Sequence, residues 1–461
     1  MKKSLKKSPI LQSEPSMFIR RSGHGLSVLA VGLAALLCWG CGGDTATEDV
    51  KPPTPGRGNV SRLSAINVVN ARALFVAETS TAHQLSNGDA VQARKLFKIT
   101  ESGAIQEVTY RDEAGLEVTD IQTPVAVYNA SRDYVIVCFG SDIYNLQACY
   151  LVAKGDGTAF SLELAGYPLP QQQNFINSPT VTSDTAGNLY YLARDNDQGR
   201  ASSPVVQLIR LDVQDPLAIK RTVHTPVDEE VFGFAVDPAG NVLYAGYSQG
   251  DARVKVSRLK KLSGGFFNLP AGMTSYWVDL EGRFAYWSFD AKHIQRLGID
   301  ANNNVSVGDY GTTDISTYAF SPTSSYQIRT SNRLLLVSTW DANVQEVYNP
   351  SGTPRRVEGL PLAMVKRVAE TGDSYYLSGN DKNGTPLLIK VDATTDAVSN
   401  LLPPGEYDVS EMAAAPDGEL TFNALRMSDG ARIIGRISPS GTVSVLDATL
   451  DARVIVLEPI Q

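Results

Sequence analysis

From residue 63 onward, apolar residues recur at every second position in short runs, separated by clusters of Gly, Asp, Asn, Ser and Pro. Such alternation puts one face of a strand in a core and the other in water, and the residues between runs are those that form tight turns. A longer period lies over the shorter one. An apolar strand, a turn bearing Asp or Gly and a strand carrying aromatics recur at 184–191 with Gly187, at 237–244 with Gly240 and at 279–286 with Gly282. Looser copies hold Gly372 and Gly418, and the wide gap between Gly282 and Gly372 places a degenerate copy near Ser321, Pro322 and Thr323. A second hairpin follows within each unit, as at 205–212, 386–392 and 431–438, and two earlier units at 70–99 and 129–152 keep the order without the glycine. Recurrence every roughly 40–50 residues with four short strands each is the signature of propeller blades. The fold expected is therefore all-β, a single β-propeller of about eight four-stranded blades over 63–461. Seven blades stay open, because the first unit is the least regular. Residues 451–457 alternate as a strand suited to closing the ring, which leaves only short, protected sheet edges. Paired β-sandwiches also show short alternating strands, but not one turn repeated at blade spacing.

The N-terminus has a different character. Basic residues ending in Arg20 and Arg21 precede an apolar run over 26–37, after which come Cys38, Trp39, Gly40 and Cys41. The run is too short to span a hydrocarbon layer of about 30 Å but suits the core of a signal peptide. Met17 offers an alternative start to Met1. With Gly40 directly before Cys41, this segment resembles bacterial lipoprotein precursors, although Cys38 and Trp39 stand where that family usually has Leu and a small residue. The resemblance implies a signal peptide over 1–40, a palmitate-bearing lipid anchor on Cys41 and residence in the cell envelope. Gly42, where Asp would favour the inner membrane, implies the outer membrane in preference to the inner. Residues 41–62, with Pro52, Pro53 and Pro55, form a semi-extended spacer between anchor and folded body. The repeat, for its part, resembles the degenerate propellers of bacterial envelope proteins, and that resemblance covers architecture without specifying an activity.

The whole chain carries a formal charge of −8, which becomes −13 once the basic leader is set aside. Such a surface repels phosphate backbones, so no nucleic-acid partner is expected. Only Cys138 and Cys149 lie in the folded body. They sit symmetrically about the turn of one hairpin, which sets them opposite each other, and in an oxidising compartment they are expected to form a disulfide.

No motif survives as a reaction centre. Gly246, Ser248 and Gly250 match the spacing of a serine-hydrolase elbow, which needs a strand, a sharp turn and then a helix. Residues 251–256 alternate as a strand instead, so this is a hairpin loop. His83, His224 and His293 are widely spaced, and a zinc site needs several converging ligands. The Asp195, Asp197, Gly199 and Asp300, Asn302, Asn304 fragments lack the distal glutamate of a calcium loop and read as turns. Trp277, Trp287, Trp340, Tyr190, Tyr191, Tyr375 and Tyr376 are read first as packing between blades.

The expectation from sequence is thus a monomeric, non-enzymatic envelope lipoprotein whose propeller binds a protein or cell-surface polysaccharide, with no catalytic residues, no metal and no cofactor. The alternative is a propeller-type metal-dependent hydrolase or lyase with its ligands at the central channel. The anchor is directly testable. Metabolic labelling with palmitate should mark the native chain and not Cys41→Ser, and equal labelling of the two would refute lipidation at this cysteine.

Overall fold

Alternating runs joined by short turns satisfy their backbone groups by pairing with their neighbours, and each run here pairs antiparallel with the next. The computed structural model describes residues 63–84, 90–119, 123–142, 145–162, 169–170, 181–194, 206–213, 220–223, 229–236, 242–248, 257–261, 266–268, 273–278, 284–288, 293–299, 305–312, 325–330, 333–348, 356–447 and 452–460. Among these residues there are eight four-stranded antiparallel sheets, one two-stranded ribbon and no helix. The chain is therefore all-β.

Seven sheets take four consecutive strands in order. Their leading strands are Pro124–Asn129, Val181–Ser183, Glu229–Val236, Met273–Val278, Ser325–Arg329, Met364–Glu370 and Tyr407–Ala414. The eighth four-stranded sheet, first along the chain, is led by a strand from the other end: Ala452–Pro459 pairs with Ala71–Gln84, which continues to Ala90–Thr100 and Ile105–Glu107. In this pairing Leu74 faces Glu458, Phe75 faces Leu457 and Val76 faces Val456. The C-terminal segment thus takes the closing role its alternation suggested. Its strand touches the leading strands of the second and the last sheets, and the leading strand at 364–370 touches those on either side of it. This is a propeller-like arrangement.

Among the described residues, apolar clusters join successive sheets. Ile136, Cys138, Cys149 and Leu151 of the second sheet pack with Leu189, Tyr191, Ile209 and Leu211 of the third. Ile328, Leu335 and Val337 pack with Tyr375, Leu377 and Ile389 of the next sheet, and Phe75, Phe97 and Ile99 meet Ile434 of the last. Full burial of such a side chain stabilises by about 1.5–3 kcal/mol, so the faces between sheets hold most of the folding energy. Tyr190, Tyr191, Tyr375 and Tyr376 are all buried in these layers, as packing residues. Trp340 is 75% exposed, while the side chains of Trp277 and Trp287 lie outside the described residues.

The repeated turn has a clear physical basis. Asp184 accepts a backbone hydrogen bond from Asn188 at 2.9 Å, and Gly187 occupies the left-handed region at φ 83°. Asp417 accepts likewise from the Glu419 backbone, with Gly418 at φ 86°. A β-carbon is strained at such a φ, which is why glycine recurs there. The turns bearing Gly240 and Gly282 lie outside the described residues, as does the expected copy at 321–323. The corresponding hairpin turn of that sheet instead joins Thr330 to Arg333, where the Thr330 hydroxyl accepts from the Arg333 backbone at 3.0 Å.

Cys138 and Cys149 are direct cross-strand partners in the second sheet, joined by a disulfide and fully buried. Gly246, Tyr247 and Ser248 end the strand Val242–Ser248, which pairs antiparallel with Ser257–Lys261. The hydrolase-like spacing therefore belongs to a hairpin. The assigned lipidation residue Cys41, the leader and the spacer all lie outside the described residues.

Phe75 is fully buried and stacks on Phe97 with ring centroids 5.1 Å apart, beside the closing strand. Phe75→Ala should cost about 3–5 kcal/mol in urea unfolding. A loss below about 1 kcal/mol would mean that the terminal strands do not form the joint described here.

Candidate functional site

Two charged constellations gather around leading strands, and they differ in how completely their charges are compensated. The first spans three successive sheets. Arg367 pairs with Glu411 at 2.7 Å and Lys366 with Asp408 at 2.6 Å, while the Tyr326 hydroxyl donates to the Lys366 carbonyl at 2.8 Å. Register shifts at Val365/Arg367 and Val409/Glu411 mark β-bulges, which re-aim these side chains along the strand. The Glu411 carboxylate holds the Arg367 guanidinium well above its ordinary pKa. Each cation here has an anion, so the constellation ties one sheet to the next and leaves little charge for a ligand.

The second constellation gathers at the joint between the closing strand and the second sheet. Glu458 stands near the end of Ala452–Pro459, Tyr128 and Asn129 end the leading strand of the second sheet, and Lys154 follows the strand Asn145–Ala153. Asn129 bridges the two charged groups: its backbone N–H donates to Glu458 Oε1 at 3.2 Å, and its side-chain Oδ1 accepts from Lys154 Nζ at 2.9 Å. The backbone holds Lys154 in place, since its N–H donates to the Asp133 carbonyl at 2.9 Å. The Tyr128 hydroxyl is buried and has no hydrogen-bond partner among the described residues.

Burial without a full countercharge moves both ionisable groups toward neutrality. Desolvation pushes the Glu458 carboxyl up to about 7, opposed by the Asn129 hydrogen bond and the Lys154 charge. Desolvation likewise lowers the Lys154 ammonium to about 8, opposed by Asp133 and Glu458. The Tyr128 phenol is raised to about 12 by burial and by the Glu458 charge. All four side chains are only half-buried by exposed area, so the Glu458 carboxylate lies deep while the group as a whole stays open to solvent. A carboxylate that exchanges its proton near pH 7, an amine that does so near pH 8 and an orphaned hydroxyl are the parts of an acid–base centre.

None of these residues carries a functional signal in the sequence. Glu458 and Asn129 are 329 positions apart, and no local spacing signals their meeting. His224 and the side chains of His83 and His293 lie outside the described residues, as do the Asp195 and Asp300 fragments. Among the described residues no group of three His, Cys, Asp or Glu side chains is placed to hold a metal ion.

No protein-family model matches the chain. No curated protein matches it in sequence. Among solved structures it is similar to a puromycin hydrolase, at 13% identity and TM-score 0.44 over 72% of this chain and 54% of the other, so it spans about half that enzyme's length. It is similar also to a streptogramin B lyase, at 16% identity and TM-score 0.35 over 60% of this chain and 84% of the other. A virginiamycin B lyase from Staphylococcus aureus gives 12% identity and TM-score 0.35, over 60% and 86%. The structures named here are those of enzymes, which runs against the expectations of a non-enzymatic binding module and of no enzyme. Histidine, serine and metal chemistry leave short-range signatures in a sequence, whereas a centre assembled from distant strands leaves none. The ionisable pair described above, Glu458 and Lys154, is brought together through Asn129 from positions far apart in the chain.

The direction of the Glu458 shift fixes a pH dependence. A carboxyl whose folded pKa lies above its unfolded value binds its proton more tightly in the native state, so its contribution to stability is lost as pH rises from about 4.5 to about 7. Glu458→Gln, which keeps the acceptor for Asn129, should therefore gain on the native protein as pH is raised from 5 to 8, by on the order of 2 °C in Tm. Parallel Tm–pH curves for the two proteins would show that Glu458 is not desolvated.

Proposed function

We propose that this chain is an envelope-anchored enzyme of hydrolase or lyase type, built on an eight-bladed propeller. In this reading the signal peptide over 1–40 is removed, Cys41 is lipidated, the 41–62 spacer holds the body off the membrane, and the outer membrane is its site of residence. The eight four-stranded sheets support the blade count, because strands from both termini share one sheet and leave no unpaired end at the joint.

The observation that carries the catalytic reading is the Glu458–Asn129–Lys154 relay with the unpartnered Tyr128 hydroxyl beside it. Ionised Glu458 is the general base that takes a proton from water or from a carbon next to a carbonyl. Protonated Lys154 and the Tyr128 O–H donate to the oxygen on which negative charge develops. Asn129 fixes the distance between base and acid, and so acts as a positioning residue. Hydrolysis and elimination share these first steps, and the atom that Glu458 deprotonates distinguishes them.

A base that must be ionised above pH 7 and an acid that must stay protonated below pH 8 give a narrow bell-shaped rate profile with its maximum between the two. The test is a panel of p-nitrophenyl esters, lactones and O-acylated β-hydroxy acids assayed across pH 5–10. Glu458→Gln should lower kcat by about 100-fold or more, and Lys154→Met should remove the alkaline limb. Turnover that survives in both folded variants, or a panel with no turnover at all, would overturn this assignment.

A further inference from the structure

An asparagine followed two residues later by serine or threonine, with any residue but proline between, is the acceptor pattern for N-linked glycosylation of exported chains, and it needs a surface turn to be used. The pattern occurs at Asn59, Asn129, Asn304 and Asn383. Asn59 and Asn304 lie outside the described residues. The other two are placed very differently. Asn129 belongs to the acid–base centre: its side chain is half-buried and its Oδ1 accepts from Lys154 at 2.9 Å, while the Ser131 hydroxyl accepts from the backbone N–H groups of Asp133 and Tyr134 at 3.3 and 3.2 Å. A modifying enzyme would have to break these contacts to engage either group.

Asn383 stands in the turn that joins Ser374–Asn380 to Pro386–Asp392. Lys382, Asn383 and Gly384 are exposed, and a β-carbon placed on Gly384 would meet nothing within 4 Å, so the space around the tip is open. Asp381 sets the shape of the turn: its Oδ1 accepts from the backbone N–H groups of Asn383 and Thr385, both at 2.8 Å, and Gly384 takes φ 80° between them. Asn383 Nδ2 lies 3.4 Å from Asp381 Oδ2, at the outer limit of a hydrogen bond, so the carboxamide is only loosely held. Of the four asparagines, this one alone has a carboxylate two positions before it. The surroundings give a glycan something to cover. Met364 is the cross-strand partner of Asn380 at the base of the turn, and the Thr385 methyl group lies against Gly405, next to Glu406, whose carbonyl accepts from the Met427 backbone at 2.8 Å. Met364 and Met427 are 38% and 50% exposed, apolar surface on either side of the turn that a hydrated chain would screen from association.

We propose that Asn383 is the attachment site of an N-linked glycan, added after the chain is exported. The inference rests on the export part of the function proposed above and is independent of its catalytic part. In the transfer, the Asn383 amide nitrogen bonds to the anomeric carbon of a glycan carried on a lipid diphosphate. The bond from that carbon to the diphosphate oxygen breaks, its electron pair leaves with the lipid diphosphate, and the nitrogen gives up one proton. Thr385 supplies the hydroxyl that marks this asparagine for the transferring enzyme.

Peptide mass spectrometry of the full chain, purified from the envelope of its own cells, tests the proposal. The peptide containing Asn383 should carry a series of hexose or N-acetylhexosamine masses. Asn383→Gln and Thr385→Ala should each remove that series and Thr385→Ser should keep it, with native thermal unfolding in all three variants, so that loss of the acceptor is separated from loss of the fold. Protease accessibility of the chain in spheroplasts is measured on the same cultures. An unmodified Asn383 in an accessible chain would overturn the proposal and leave the export reading standing, whereas a chain shielded inside the spheroplasts would overturn both. Glycan mass that persists in Asn383→Gln would place the modification elsewhere and would also overturn the assignment. None of these outcomes depends on turnover, so failure here is distinct from failure of the catalytic reading.

Discussion

The backbone pairing of Ala452–Pro459 with Ala71–Gln84 is the constraint on which the other features rest. Where side chains are described, neighbouring sheets bury apolar faces against each other, so a missing contact at such a joint exposes apolar surface on both sides of it. Phe75 and Phe97 meet Ile434 only because the first and last sheets are brought together there. Ion pairs reinforce the same joint: Arg72 of the first sheet reaches Asp417 and Glu419 of the last. Next to this joint, toward the second sheet, Glu458 is carried into contact with Asn129. The pairing that completes the fold also assembles the candidate acid–base centre.

The two charged constellations follow from how far water is excluded and how completely charge is matched. Where Arg367 meets Glu411 and Lys366 meets Asp408, each charge has a close partner of opposite sign, and the pairs act as ties between sheets. Where Glu458 and Lys154 are bridged by a neutral asparagine, desolvation outweighs the attraction at longer range, and both groups move toward their uncharged forms. The same residue types thus yield a strut in one place and a proton-exchanging pair in the other.

Much of the fold was legible because it is local. Period-two runs become strands, Gly187 and Gly418 occupy the turns that need a left-handed residue, and the symmetry of one hairpin sets Cys138 opposite Cys149. The degenerate copy assigned to 321–323 shows the limit of this, since Thr330 and Arg333 make that sheet's hairpin turn without aspartate or glycine. The candidate site was not legible. Lys154 looks like any turn lysine and Glu458 like any residue near a chain end, and only the meeting of distant strands removes them from water. Histidines and a hydrolase-like spacing drew notice because their signals are short-range.

A strand contributed by the last residues also governs the order in which the molecule can be completed. During vectorial synthesis, or threading through a translocation pore from the N-terminus, the 71–84 strand emerges nearly four hundred positions before its partner. Until then one flank of that strand offers bare N–H and C=O groups to any other extended chain. The interval makes the nascent form a target for holding chaperones and proteases, and it makes loss of residues 452–459 costly to a sheet at the far end of the sequence.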